Sequence, residues 1–296
     1  MRRFERVAVV GLGLMGGSLG LAIRKRRLAR RVAGFARKAP VRRRALAMGA
    51  VDEACIDLND AVRDADLVVF CAPILAIPRL VASCAPALRP GAVITDVGST
   101  KRFVLAAMER ALGRRDVAAV GSHPIAGSEA AGIGAARPDL YRGNVVVVTA
   151  SRHTPERATR AVESFWRALG ARVVTMDPAE HDAVLAATSH GPHLAAAAIA
   201  ESVLGRGGLV PACFCGTGFR DTTRIAAGSE DVWHDIAATN REAIARELLR
   251  VETRLRRMRT DLGKGRLAAV KRFLARARRL RAGIEGRRRA TRRACG

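Results

Sequence analysis

Aromatic residues are few in this chain. Eight Phe, two Trp and one Tyr make up only 4% of its 296 residues. That leaves too few stacking platforms for the aromatic-and-basic weave that single-strand nucleic-acid binders use. Lysine is scarcer still, at positions 25, 38, 101, 264 and 271 alone. Acidic residues are also in deficit, 27 against 52 Lys and Arg, for a net charge of +25. An excess of that size ordinarily marks a nucleic-acid or membrane partner. Here it is nearly all arginine spread along the chain, and we read it as solvated helix faces, with a share left to steer an anionic small substrate. The six cysteines, 55, 71, 84, 213, 215 and 295, include no C-x-x-C pair. Cys213 and Cys215 flank a single residue, a poor spacing for zinc. All six read as reduced and mostly packed, as in an intracellular protein. No apolar run is long enough to span a bilayer. The N-terminal stretch MRRFERVAVVGLGLMGGSLGLAIRKRR is basic, then apolar, yet its apolar part carries ordered glycines and a basic stretch follows. It does not read as a secretory signal, and the expected location is cytoplasmic.

What the chain does have is 49% apolar residues, enough for a globular protein of two domains with a real core. Through residue 176, short apolar runs alternate with amphipathic helical patterns. Strands are expected at 7–11, 31–35, 66–73, 92–98, 117–124, 144–150 and 172–176. Helices are expected at 14–25, 39–48, 74–88 (despite Pro78), 101–112 and 155–169. That alternation predicts an α/β fold with a doubly wound, mostly parallel, Rossmann-like sheet. After Asp177 the pattern turns nearly all helical, over 178–204, 221–228, 230–260 and 265–285. The predicted division is a dinucleotide-binding domain at 1–176 and a helical substrate and dimerisation domain at 177–285. A disordered basic tail follows at 286–296. A crevice between two such domains is a usual place for a small-molecule site.

Gly11-Leu12-Gly13-Leu14-Met15-Gly16 follows a predicted strand and opens a helix. In that context G-x-G-x-x-G has a mechanism. The first glycine allows a tight turn, the second admits a pyrophosphate to the backbone, and the third lets helix and strand pack closely. The pyrophosphate then rests on the helix N-terminus. A second strand in such a unit ordinarily ends in an acid that holds the ribose 2′-hydroxyl. This one ends Gly34-Phe35-Ala36-Arg37-Lys38, with no acid before Asp52. Arg37 can clamp a 2′-phosphate that a carboxylate would repel, so NADP is favoured over NAD. Ala72 and Pro73, after the strand ending near residue 70, are further candidates for the cofactor wall.

Five stretches carry the chemistry. They are Asp96-Val97-Gly98-Ser99-Thr100-Lys101; Gly121-Ser122-His123-Pro124-Ile125-Ala126-Gly127-Ser128-Glu129; Glu180-His181-Asp182; Ser189-His190-Gly191-Pro192-His193; and Gly216 through Ala226, reading GTGFRDTTRIA, with Trp233 beyond. With these in order over residues 5–260, the chain resembles the prephenate/arogenate dehydrogenase family of tyrosine biosynthesis. The resemblance implies oxidative decarboxylation of prephenate, or of its amino counterpart arogenate, with hydride passing to NAD(P) and no metal. It also implies a homodimer through the helical domain. The length leaves no room for a fused chorismate mutase or regulatory domain, so a stand-alone enzyme is expected.

The resemblance assigns roles by residue. His123 matches the histidine that hydrogen-bonds the substrate hydroxyl, and a neutral imidazole suits a general base. Ser99 matches the serine that touches substrate and nicotinamide, though serine there could equally cap the following helix. Arg224 matches a substrate-carboxylate ligand, with Asp221 three residues earlier able to orient it. Glu129 matches the glutamate that pairs with this arginine, and Ser128 lies beside it as a substrate contact. His190 and His193 share one helix face, His193 toward substrate polar groups, with Pro192 expected to kink the helix near Thr188. His181 reads as structural. Thr217 interrupts a glycine run usual in the family. Two rivals stand beside this reading. A β-hydroxyacid dehydrogenase also opens GLGLMG but uses a helix lysine, and this helical region has none before Lys264. A cofactor-sensing regulator would bind nucleic acid through clustered arginines.

Overall fold

The computed structural model describes residues 3–113, 115–126, 130–205 and 212–294. Two compact units emerge, Met1–Ala243 and Ile244–Gly296.

The first unit begins with strand β1 (Phe4–Val10), helix α1 (Leu14–Lys25), β2 (Ala29–Phe35), α2 (Ala39–Ala47), β3 (Glu53–Cys55), α3 (Leu58–Val62) and β4 (Leu67–Phe70). It continues with α4 (Ile77–Cys84), β5 (Ala92–Asp96), α5 (Arg102–Leu112), β6 (Val117–Pro124), β7 (Val145–Thr149), α6 (Glu156–Ala168) and β8 (Arg172–Thr175). The strands make one sheet in the order β3-β2-β1-β4-β5-β6-β7-β8. Every neighbouring pair is parallel except β6 and β7. Val7–Val10 and Leu67–Phe70 are almost wholly buried, because helices cover both faces of a parallel sheet and its central strands need apolar residues at every position. Consecutive βα units run one way from β1 to β3 and the other way from β4 onward. The reversal lies between β1 and β4, where open α/β sheets bind ligands.

β6 has two partners. Ala92–Thr95 of β5 pair with Val117–Val120, and Gly121–Pro124 pair antiparallel with β7. His123 is therefore a strand residue opposite Val147, held by the sheet rather than by a free loop. A single-turn 3-10 segment at Ile74–Ala76 leads into α4, whose Pro78 sits in the first turn. There a missing amide costs nothing, so the expected 74–88 helix begins at Ile77 instead.

Beyond the sheet come α7 (Pro178–Leu185), α8 (Gly191–Leu204), α9 (Thr217–Thr223) and α10 (Glu230–Gly263). Asp177 caps α7, its carboxylate accepting from the amides of Ala179 and Glu180 at 2.7 and 3.2 Å. Between α7 and α8, residues Ala186–His190 form a π-turn. Pro192 has no amide to offer one turn back. The widened turn takes up that loss where a sharp kink was expected. The expected helix at 221–228 is instead α9 followed by a 3-10 turn, Arg224–Ala227. Helix α10 departs from helical geometry at Asn240. The helices through Ala243 belong to the same compact unit as the sheet, so the compact-unit boundary falls well beyond residue 176.

The second unit is the remainder of α10 and helix α11 (Leu267–Ala294). Leu249, Leu255, Leu262, Leu274 and Leu280 are more than half exposed. Helix α11 runs over most of the segment expected to be a disordered tail. Arginine and alanine are both strong helix formers.

Candidate functional site

The carboxyl ends of the parallel strands carry the candidate cofactor residues and the Ser99 turn, and the helices beyond the sheet carry His190, His193 and Arg224. After β1, Gly11 adopts φ +102°, and a Cβ there would stand 2.4 Å from the Cys71 carbonyl oxygen. A Cβ on Gly16 would stand 1.8 Å from the Gly11 carbonyl oxygen. Both positions exclude any side chain. Around Gly13 nothing lies within 4 Å of a Cβ position. Helix α1 starts there with no side-chain cap and no acid in its first turn. Open space in front of uncapped amides fits a dinucleotide pyrophosphate. Leu14 and Met15 begin the helix, and the buried Tyr141 hydroxyl donates to the Met15 carbonyl at 2.7 Å, tying that turn to the segment before β7. Ala72 and Pro73 follow the Cys71 carbonyl that abuts Gly11.

Arg37 is exposed just past β2, whose last residue, Phe35, accepts the Gly11 amide at 2.9 Å. That contact sets the end of β2 beside the glycine turn. The first acid after it, Asp52, is engaged elsewhere. It pairs with Arg24 and accepts the Val32 amide at 2.8 Å, before the start of β3 and so at the opposite end of the sheet.

The chemical end is organised by one carboxylate. Asp96, at the end of β5 and wholly buried, accepts the Gly98 amide at 2.7 Å and the Ser122 amide at 3.1 Å, and forms an ion pair with the equally buried Lys101. It thereby ties the turn that carries Ser99 to the strand that carries His123. Ser122 is further held by Thr95 (2.7 Å between hydroxyl oxygens) and by the Trp166 indole, which donates to its oxygen at 3.0 Å. Burial lowers the Lys101 pKa, and the Asp96 charge and hydrogen bond oppose that shift.

His123 is buried, and its Nδ1 lies 2.9 Å from His181 Nε2. His181 Nδ1 in turn lies 2.8 Å from Asp182 Oδ1. Asp182 also accepts the amides of Lys101 (2.7 Å) and Arg102 (3.0 Å), capping α5 from another element. Ser99 is therefore not needed as that helix's cap, and the N-terminal residue, Lys101, has no side-chain cap of its own. Burial holds His123 well below the ordinary histidine pKa. The Lys101 ammonium adds to the effect, as any positive charge on His181 or His190 would. The imidazole is thus neutral and proton-accepting.

His190 and His193 are both buried. His193 stacks on Trp233 with ring centroids 3.4 Å apart, and His190 meets the same indole edge-on at 6.1 Å. The Asn240 amide nitrogen donates to the Asp182 carbonyl (2.8 Å) and lies 3.2 Å from His190 Nδ1. Burial brings His190 down to about 4, with His181 and His193 adding to the shift and Asp182 opposing it, and lowers His193 as well. Arg224 is exposed and opens the 3-10 turn that leads to Gly228. A Cβ on Gly228 would stand 2.9 Å from His193 Cε1. The turn that Arg224 opens therefore ends, at Gly228, beside the His193–Trp233 stack, while Arg224 itself is exposed. Ser128 and Glu129 lie outside the described residues. Cys213 is exposed, against the expectation of packed thiols, in a turn that offers no core.

Lys101, His181, Asp182, Trp233 and Asn240 were quoted within or beside motifs, or passed over, without a site role. Apart from the Lys101–Asp96 pair, whose partners lie close in sequence, the contacts that give them a place in the site cross long sequence separations that spacing alone does not show. A cavity of about 860 Å³ opens near the amino ends of β5 and β6, beside α5 and α6, lined by Arg110, Arg115, His153 and Arg157 among others. It contains none of the candidate catalytic residues.

Comparison with known proteins decides the family. Residues 19–175 match the model of the prephenate dehydrogenase nucleotide-binding domain, and residues 177–276 match that of the prephenate dehydrogenase dimerization domain. The chain belongs to the prephenate dehydrogenase family. Cyclohexadienyl dehydrogenase of Zymomonas mobilis is 35% identical over 265 residues, covering 88% of this chain and 90% of the relative. Prephenate dehydrogenase of Aquifex aeolicus, solved with hydroxyphenyl propionate and NAD+, superposes with a TM-score of 0.88 at 27% identity, over 95% of this chain and 98% of that one. Synechocystis arogenate dehydrogenase superposes with a TM-score of 0.79 at 28% identity, over 92% and 96%. The family is one of NAD(P)-dependent oxidoreductases, with a Rossmann-like sheet and a helical C-terminal region.

Proposed function

We propose that this prephenate dehydrogenase family member oxidises and decarboxylates prephenate to 4-hydroxyphenylpyruvate, with arogenate as its second candidate substrate and NADP+ as the preferred oxidant. The observation that carries the reading is the Asp96 carboxylate, which joins the Ser99 turn to the His123 strand beside the glycine-rich turn. Bound NADP+ supplies the hydride acceptor. His123 Nε2, for which no hydrogen-bond partner appears among the described residues, takes the proton of the ring hydroxyl as the carbinol carbon gives up its hydride. The ring carboxylate then leaves as CO₂, its bonding electrons completing the aromatic ring. The proton on His123 returns to the resulting phenolate oxygen, so no proton is released overall. Ser99 orients the hydroxyl. Arg224 binds a substrate carboxylate bidentately, and His193, His190, Ser128 and Glu129 complete the pocket. The Gly11–Gly16 turn, Leu14, Met15, Ala72 and Pro73 hold the cofactor. Arg37 selects it through the 2′-phosphate.

The enzyme works as a cytoplasmic homodimer. Its match to a dimerization domain and the exposed leucines of the second unit support the pairing. No described helix is long and apolar enough to cross a membrane. The test is NAD(P)H absorbance with prephenate and arogenate, each against NAD+ and NADP+. Turnover of prephenate with NADP+ preferred is expected. No turnover of either substrate overturns the activity, and a strong NAD+ preference overturns the cofactor choice.

A further inference from the structure

We propose that His181 and Asp182 are positioning residues that lock His123 as its Nδ1–H tautomer and so present a bare Nε2 to the substrate hydroxyl. This rests on the reading of His123 as the base.

Hydrogen-bond bookkeeping along the chain of contacts leads to it. Asp182 Oδ1 accepts the Lys101 amide at 2.7 Å, and Oδ2 accepts the Arg102 amide at 3.0 Å. Both amides sit at the start of α5, where a negative charge is favoured. An ionised carboxylate can only accept. His181 Nδ1, 2.8 Å from Oδ1, must therefore carry the hydrogen of that contact. A neutral His181 then has a lone pair at Nε2. That nitrogen lies 2.9 Å from His123 Nδ1, so His123 must be the donor. The hydrogen on Nδ1 leaves Nε2 as the only basic site of His123.

The opposite arrangement would disable the base. A doubly protonated His181 would make its Nε2 a donor, His123 Nδ1 an acceptor, and His123 Nε2 an N–H with no room for another proton. The relay is anchored at its far end. Asp182 is held by α5, and its carbonyl accepts from Asn240. His181 has no exposed surface. The groups facing His123 are His181, Lys101 and His190, and Lys101 is paired with Asp96.

The direct test is nitrogen-15 NMR of the full-length protein labelled at histidine, with His123 assigned by its absence in His123→Asn. A protonated-type Nδ1 and an unprotonated-type Nε2 are expected at about pH 7. A protonated Nε2 in the neutral ring overturns the proposal. Kinetics give an independent arm. His181→Phe keeps the ring shape but offers no acceptor. It should lower kcat on the order of 100-fold, with KM and cofactor binding within about threefold. His181→Gln, whose amide oxygen can accept from Nδ1, should recover most of that loss. A folded His181→Phe with wild-type kcat, or a Gln variant no better than Phe, sinks the idea. Should His181→Phe fail to fold, the wild-type NMR decides. Undiminished turnover in His123→Asn would instead remove the base assignment, which the tautomer spectrum does not depend on.

Discussion

Asp96 Oδ1 accepts the backbone amide of Ser122 at 3.1 Å, one residue before His123, while Oδ2 of the same carboxylate holds Gly98 and Lys101. Two chain segments that carry the chemistry are thus set by one buried charge whose own partner is a buried ammonium. Asp96→Asn leaves Lys101 as an unpaired cation in the core. Losing one partner of a buried pair costs about 3 to 5 kcal/mol. Urea unfolding should show a loss of that order. Any folded fraction should show a reduced kcat, because the Ser99 turn and the His123 strand are no longer tied together.

His190 and His123 are both held below the ordinary histidine pKa in the folded state. Between those lowered values and about 6.5 the unfolded chain binds protons that the folded chain does not. Stability is therefore complete above about pH 6.5 and falls as pH drops toward 4. His190 alone, at about 4, accounts for up to about 3 kcal/mol of that fall. Unfolding free energies across this range check it, and His190→Gln should flatten the curve. A wild-type stability unchanged down to about pH 4 would contradict the burial of these rings as neutral groups.

The same depression of His123 has a kinetic consequence. As pH falls, kcat/KM should hold until well below the ordinary histidine value, because the free enzyme's base stays unprotonated. A limb centred at about 6.5 or higher would show an unperturbed base.

Cofactor choice turns on Arg37. Replacing it with Glu puts a carboxylate where a 2′-phosphate is expected and mimics the acid that holds a ribose hydroxyl. The ratio of kcat/KM for NADP+ over NAD+ should fall by roughly 10- to 100-fold, the worth of one or two charge-assisted hydrogen bonds. An unchanged ratio would leave Arg37 as a solvated residue after β2.

The sheet was legible because its strands are buried on both faces and so read as apolar runs. β3 and α3 were not read. Glu53–Cys55 and Leu58–Val62 are too short for a period to show, and the half-buried β3 pairs through only three residues. The π-turn was half legible, since Pro192 announced a defect but not its form. Of the site, the glycine turn and His123 stand out locally because glycine spacing and an His-Pro pair are local signals. His181 did not. A histidine near a helix start looks the same whether it fills a core or supports a base, and its partner is 58 residues away. The use of Asp182 as a cap for α5 is equally non-local, which is why Ser99 looked like the natural cap.

The most direct test of the whole account is prephenate turnover by His123→Asn, with NADP+ binding measured on the same preparation. The account predicts kcat reduced by roughly 100- to 10,000-fold, with cofactor affinity and thermal midpoint near wild type. Turnover close to wild type in a folded, cofactor-binding His123→Asn protein would contradict it.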